Sequence, residues 1–224
     1  MTDLLEAIEQ VDALRINRAR ELSELKIRMT EAGKYSRYGV HSKALIVLSY
    51  AHWEGFYNEC VQYFVAALKK SNKKVGDVSW ALLVGLLKPG FQRLRDRNHS
   101  SEAESQFVND LRSVIDRDFT EFDINVISSR SNLDFKKLRQ NFEILGFDLG
   151  PFQRYRIRID KELVGWRHSV AHGDEPDLLS VDLRHHIKLV QDLLLLLSDV
   201  FQQNILLRCS DELDSDGSYT TASA

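Results

Sequence analysis

Only two cysteines, three prolines and eleven glycines occur among the 224 residues. Cys60 and Cys209 lie far apart and make no CxxC or Cys/His ligand spacing, so the sequence supports neither a disulfide framework nor a zinc site. Both thiols are read as buried and idle. So few prolines and glycines leave few points at which a helix must stop, which favours an all-α protein. Long hydrophobic runs are missing as well. The most apolar stretch, Leu193 to Leu197, is far too short to span a bilayer, and no charged segment precedes an apolar one at the N-terminus. A cytoplasmic protein with no membrane partner is expected. Charge of one sign is not in excess: 30 Lys and Arg against 33 Asp and Glu leave a formal net charge of −3. Non-specific coating of nucleic acid depends on counterion release by a basic surface, so any RNA contact here has to be local.

Hydrophobic residues at 43% and charged residues at 28% describe an ordinary globule able to bury one good core. We read residues 1–208 as a single helical domain and the polar, acidic end, 209–224, as a disordered tail. A first helix covers 1–33, with Thr2 able to cap it, apolar positions from Leu4 to Met29 spaced at three and four, and Gly33 at its end. Its polar middle, Arg15 to Glu21, leaves open whether this is one long helix or two. Residues 42–70 are apolar on nearly every side, from Leu45 and Ile46 through Tyr50, Trp53, Phe56 and Tyr57 to Phe64, which places this helix at the centre of a bundle. Shorter helices are predicted over Val78–Lys88, stopped by Pro89-Gly90, over Ser101–Arg112, capped by Ser101, and over Asn132–Leu145, closed by Gly146. Asp118 to Ser131 reads as loop. A motif helix, 152–173, and a last helix, 181–207, capped by Ser180, complete the domain.

Glu54 stands out in the central helix, because Val47, Tyr50, Tyr57 and Val61 surround it with an apolar strip where a lone carboxylate would cost on the order of several kcal/mol. Its partner is either a cation from another helix, in a structural ion pair, or the site at Arg167 and His172. His52 reads as a satisfied core histidine. Arg93, Arg95 and Arg97 read as a solvated surface. The strongest local positive field comes after Pro151, where Arg154, Arg156, Arg158, Lys161 and Arg167 fall within fourteen residues, diluted by Asp160 and Glu162. The first four are candidate RNA-binding residues.

Chemistry concentrates in Arg167-His168-Ser169-Val170-Ala171-His172, followed at once by Gly173. A guanidinium grips phosphate oxygens bidentately and keeps its charge, whereas an imidazole changes protonation near neutral pH. The pair suits phosphodiester cleavage without a metal. His172 would serve as base to the attacking 2′-hydroxyl, worth roughly 10²–10⁴ in rate, and Arg167 would stabilise charge on the phosphoryl oxygens by a similar factor. The apolar spacing Ile159, Leu163, Trp166, Val170 anchors the segment on a buried stripe, and Gly173 is a natural left-handed stop. Residues five apart on an ideal helix differ by about 140° in direction, so one straight helix cannot aim both side chains at one atom. Either the helix frays at Ala171-His172 or two chains share the site around a twofold axis.

Tyr50-Ala51-His52-Trp53-Glu54-Gly55-Phe56, Ser131-Asn132-Leu133 opening a helix that ends at Gly146, and Arg167 to Gly173 occur in this order and spread from about residue 40 to 190, most of the chain. In these features the chain resembles the HEPN superfamily, whose motif is Arg, four to six residues, then His, and within it the MAE-type proteins of bacterial defence and toxin loci. The resemblance implies an all-α, HEPN-like helical bundle that dimerises into a metal-independent endoribonuclease requiring no cofactor. It also implies a role in phage defence or as a toxin, with an antitoxin or defence-system protein as partner. Arg167 and His172 would be catalytic, with His168 orienting substrate or its neighbours and Glu54 supporting them. The superfamily often has Asn directly after the Arg, where this chain has His168.

Two other readings of the motif stand beside it. Arg167 and His172 could simply interact with the last carbonyls and dipole of a helix. His168 and His172, four apart on one face, could also be two metal ligands, with Asp174, Glu175 or His185-His186 nearby in sequence. Beyond enzymes, the alternative is a non-catalytic helical scaffold that binds RNA, nucleotide or an antitoxin partner.

Overall fold

The spacing of three and four that runs from Leu4 to Leu25 folds as one unbroken helix, α1 (Thr2–Glu31), rather than two. The computed structural model describes residues 2–31, 39–71, 73–78, 80–119, 122–129, 132–174 and 183–209. Gly33, Ser131, Ser180, Val181 and the tail from 210 onward lie outside the described residues. Among the described residues the chain is helical without a strand, apart from one isolated antiparallel bridge between Lys74 and Asp118. No described helix is long and apolar enough to cross a membrane.

The central helix is α2 (Val40–Lys70): Trp53, Phe56, Tyr57, Cys60, Val61 and Phe64 are inaccessible to solvent, whereas Val40, Val47 and Leu48 in its first half are exposed despite the all-round hydrophobicity of the sequence. It packs against α1 and the last helix, α10 (Leu183–Cys209), which also pack against each other. At the α1 contact, Arg18 donates to Glu59 at 2.6 and 3.2 Å and lies 3.4 Å from His52 Nδ1. A Cβ at Gly55 would come within 3.1 Å of that guanidinium, so glycine leaves the room for Arg18 to lie across α2. Because arginine only donates, His52 Nδ1 accepts, and the ring's Nε2–H faces Glu21 at 3.5 Å. Burial, then the charge of Arg18, lowers the His52 pKa.

Between α2 and the motif, several sequence-based boundaries are corrected. Val78–Lys88 is not one helix but α3 (Val75–Val78), a 3₁₀ turn and α4 (Leu83–Leu86). Pro89 does not stop a helix; it sits in the first turn of α5 (Lys88–Asp96), where its missing N–H costs nothing. Arg93 pairs with Asp110 across to α6 (Ser101–Ile115), which is capped by Ser100 rather than Ser101. The next helix, α7, begins at Phe135, not Asn132, because Asp134 accepts the Lys137 N–H at 2.6 Å and ends the preceding extended segment. α7 (Phe135–Leu145) closes at Gly146 with φ of 64°, as its sequence predicts. The Phe147 N–H reaches back to the Phe142 carbonyl at 2.9 Å and the two rings meet edge to face at 5.5 Å.

The irregular segment before α7 hangs on polar side chains of α2. Tyr57 donates to the Ile127 carbonyl at 2.7 Å, which also accepts from buried Asn141 at 2.7 Å. Asn58 grips the Ser129 main chain in both directions, accepting its N–H at 2.8 Å and donating to its carbonyl at 2.9 Å. A truncation that leaves both Ser129 groups without this partner is expected to cost about 2 kcal/mol. Urea unfolding of Asn58→Ala should therefore show a lowered midpoint with an unchanged slope; an unchanged midpoint would mean that solvent replaces the clamp.

Candidate functional site

The motif segment expected as one α-helix over 152–173 is a composite. A 3₁₀ stretch (Gly150–Tyr155) leads into α8 (Arg156–Arg158), a π-helical segment (Ile159–Gly165) and α9 (Trp166–Ala171). The wider turn is visible in the Trp166 N–H, which bonds to the Lys161 carbonyl five residues back. A Cβ on Gly165 would approach the Asp160 carbonyl to 3.3 Å, tighter than most such contacts. Ile159 and Leu163 are fully buried on the inner side, with Trp166 and Val170 packed partly against the core. Asp160 accepts the Phe135 N–H at 2.8 Å, tying the π segment to the start of α7.

α9 does not fray. The His172 N–H bonds to the His168 carbonyl at 3.0 Å, that of Gly173 to Val170 at 3.2 Å, and that of Asp174 to Ser169 at 2.9 Å. Gly173 has φ of 81°, completing a Schellman closure in which a side chain would be strained whatever the space around it. With the helix intact, Arg167 and His172 leave it in different directions.

Arg167 turns toward α2. Its guanidinium carbon stands 4.3 Å above the centre of the Tyr50 ring, and its Nη2 donates to the Asn132 side-chain carbonyl. The Tyr50 hydroxyl accepts the Leu133 N–H at 2.8 Å, while the Trp53 indole donates to the Leu133 carbonyl at 3.0 Å. Arg167, Tyr50, Leu133 and Asn132 thus close a ring of contacts. Burial, reinforced by Glu54, pushes the Tyr50 hydroxyl up to about 12, against the opposing pull of Leu133 and Arg167, so it stays protonated. Glu54 accepts from the Ser129 hydroxyl at 2.6 Å and lies within hydrogen-bonding reach of Tyr50. Those hydroxyl contacts take the place of the cation from another helix that its apolar surroundings suggested. Through Tyr50, Glu54 reaches the residue under Arg167.

His168 and His172 lie on the exposed outer side of α9, their ring centres 4.2 Å apart. Of the basic cluster, Arg154, Arg156 and Lys161 are exposed, with Arg154 over its neighbour Tyr155 at 4.7 Å. Arg158 is different: both arms of its fork are held by Glu162, at 2.7 and 2.9 Å. Behind the motif, His186 of α10 lies against Trp166 with ring centres 5.3 Å apart, while His185 is exposed. No group of three or more His, Cys, Asp or Glu side chains able to hold a metal ion occurs among the described residues. Sequence reasoning did not assign Tyr50 or Asn132 to the site. The sequence marks Asn132 only as a helix opener; the signal that points to its role is a polar residue just before an apolar one, Leu133, that α2 aromatics can hold.

Residues 14–203 match the sequence profile of the family described as RiboL-PSP-HEPN, which bears out the resemblance to the HEPN superfamily. No match was found among curated proteins or among solved structures.

His186 is 1% exposed, and neither ring nitrogen has a hydrogen-bond partner among the described residues. Burial, with a smaller opposing effect of Glu162 and a reinforcing one of Arg158, brings its pKa down to about 4. The ordinary value of about 6.5 in the unfolded chain is higher, so the unfolded state binds the proton more tightly, and stability is lost as pH falls from about 6.5 toward 4. Between pH 7 and 5 the wild-type protein should lose about 2 kcal/mol more than His186→Leu in urea unfolding. Parallel pH profiles for the two proteins would refute this assignment.

Proposed function

The chain belongs to the RiboL-PSP-HEPN family, and on that membership together with the geometry of Arg167 we propose that it is an endoribonuclease that cleaves RNA by attack of the 2′-hydroxyl, without a metal. The observation that carries this reading is the mounting of Arg167, stacked on Tyr50 and held at one edge by Asn132. A cation fixed in advance stabilises charge as it develops on a phosphoryl oxygen without reorganising at that moment. His172 is solvent-exposed at the end of α9, where it can meet a substrate hydroxyl. His168, in ring contact with it, would orient it. Glu54 supports the site from beneath Tyr50. Arg154, Arg156 and Lys161 would contact the RNA backbone; Arg158, neutralised by Glu162, would contribute less.

A homodimer supplies the missing half of the geometry. With α9 helical through Ala171, Arg167 of one copy and His172 of another can face one phosphate more readily than the two residues of a single chain. Val40, Ala44, Val47, Leu48 and Ala51 form an exposed apolar stripe along the first half of α2, and Val47 lies one turn from Tyr50. That stripe is the surface we assign to the partner copy. In keeping with the superfamily resemblance, the biological setting we propose is a toxin or phage-defence locus in which a partner protein restrains the nuclease.

Mixed RNA incubated with the protein in EDTA should be cut. Arg167→Ala should lower the rate by roughly 10²–10³ and His172→Ala by roughly 10²–10⁴. Mixing the two inactive variants should restore roughly a quarter of wild-type activity by random pairing if each site draws on both chains. Cleavage that appears only with added metal, or RNA binding without cleavage under any of these conditions, would overturn the proposal, the latter in favour of a binding module.

A further inference from the structure

Asn132 is exposed, yet its side-chain orientation is determined. The Arg167 guanidinium can only donate, so the amide oxygen of Asn132 must face it, as the contact with Nη2 shows. The amide –NH₂ then points away from Arg167, and it has no hydrogen-bond partner among the described residues. Its mount is firm. The next residue, Leu133, is held at both main-chain polar atoms by Tyr50 and Trp53. Asp134 caps α7, and the Phe135 N–H is bonded to Asp160 of the π segment. A neutral donor on a fixed backbone beside a fixed cation has the chemistry to take one anion between them.

We propose that Asn132 donates its side-chain amide N–H to a non-bridging oxygen of the RNA phosphate that Arg167 holds, a substrate contact beyond the Arg and His of the motif. The inference rests on the ribonuclease reading above. Asn132 therefore has two contacts: its oxygen steadies Arg167, and its nitrogen binds the phosphate. Tyr50 and Glu54 stay in the positioning role, acting only through Arg167.

Binding of a short RNA with every 2′-hydroxyl methylated, which cannot be cut by 2′-hydroxyl attack, separates these roles. Affinity would be followed by fluorescence anisotropy at fixed salt for the wild type, Asn132→Ala, Arg167→Ala and the double variant. Asn132→Ala should weaken binding by roughly tenfold, and most of that loss should persist when Arg167 is already alanine. If Asn132→Ala binds as the wild type does, or costs nothing once Arg167 is removed, Asn132 only steadies the arginine and the proposal fails while the ribonuclease reading stands. A wild type that does not bind the probe at all would remove that reading and this proposal with it.

Discussion

The main chain of Leu133 is fixed at both of its polar atoms by α2, its N–H on the Tyr50 hydroxyl and its carbonyl on the Trp53 indole. These are buried bonds spanning 83 and 80 residues of sequence, and the site is built on them. A buried backbone group left without a partner costs about 1–3 kcal/mol, so the irregular segment has a strong reason to lie where the two aromatics reach it. Tyr50 then has both ends occupied. Its hydroxyl holds Leu133, and its face carries the Arg167 guanidinium. Moving α2 would move the arginine's support and the residue that binds its edge together, so the cation keeps its geometry relative to both.

The π segment adjusts the other side of that contact. A turn closed by a bond five residues back takes in one residue more than an α-helical turn, which rotates everything beyond it relative to what comes before. Ile159 and Leu163 stay buried within the segment, and Arg167 turns to Tyr50 beyond it. Gly165, at the end of the π segment, suits the close approach of the Asp160 carbonyl. Asp160 in turn bonds the first N–H of α7, so the same segment that sets the direction of Arg167 also steadies the approach to Asn132.

Periodicity made the helices legible and left the connections obscure. α2 announces itself because Leu45 through Phe64 is dense in aliphatic and aromatic residues that are buried, and the stops at Gly146 and Gly173 are local backbone requirements that one residue type meets. Pro89 misled because proline ends one helix and begins another with equal ease, and only its neighbours in space decide. Glu54 was recognisable as a carboxylate in need of a partner, but Ser129 lies 75 residues away in a segment with no period to read. Asn132 was hidden for the same reason. The π segment was hidden because its apolar spacing of four and three is what an α-helix also shows.

Arg167 and His172 differ in how they are held, and the difference fits the roles proposed for them. A cation that stabilises developing charge gains from rigidity, because any reorganisation at the moment of reaction is subtracted from its effect. Arg167 is accordingly gripped by a ring face and an amide. A general base must instead exchange its proton with substrate and solvent, and a buried imidazole such as His186 is unfit for that, its charged form disfavoured down to about pH 4. His172 is exposed at the helix end. The Schellman closure at Gly173 opposes the unwinding that would swing His172 toward its own Arg167, since three main-chain bonds would have to open. A rigid cation on one copy facing an accessible imidazole on another, as in the proposed dimer, asks for no such unwinding.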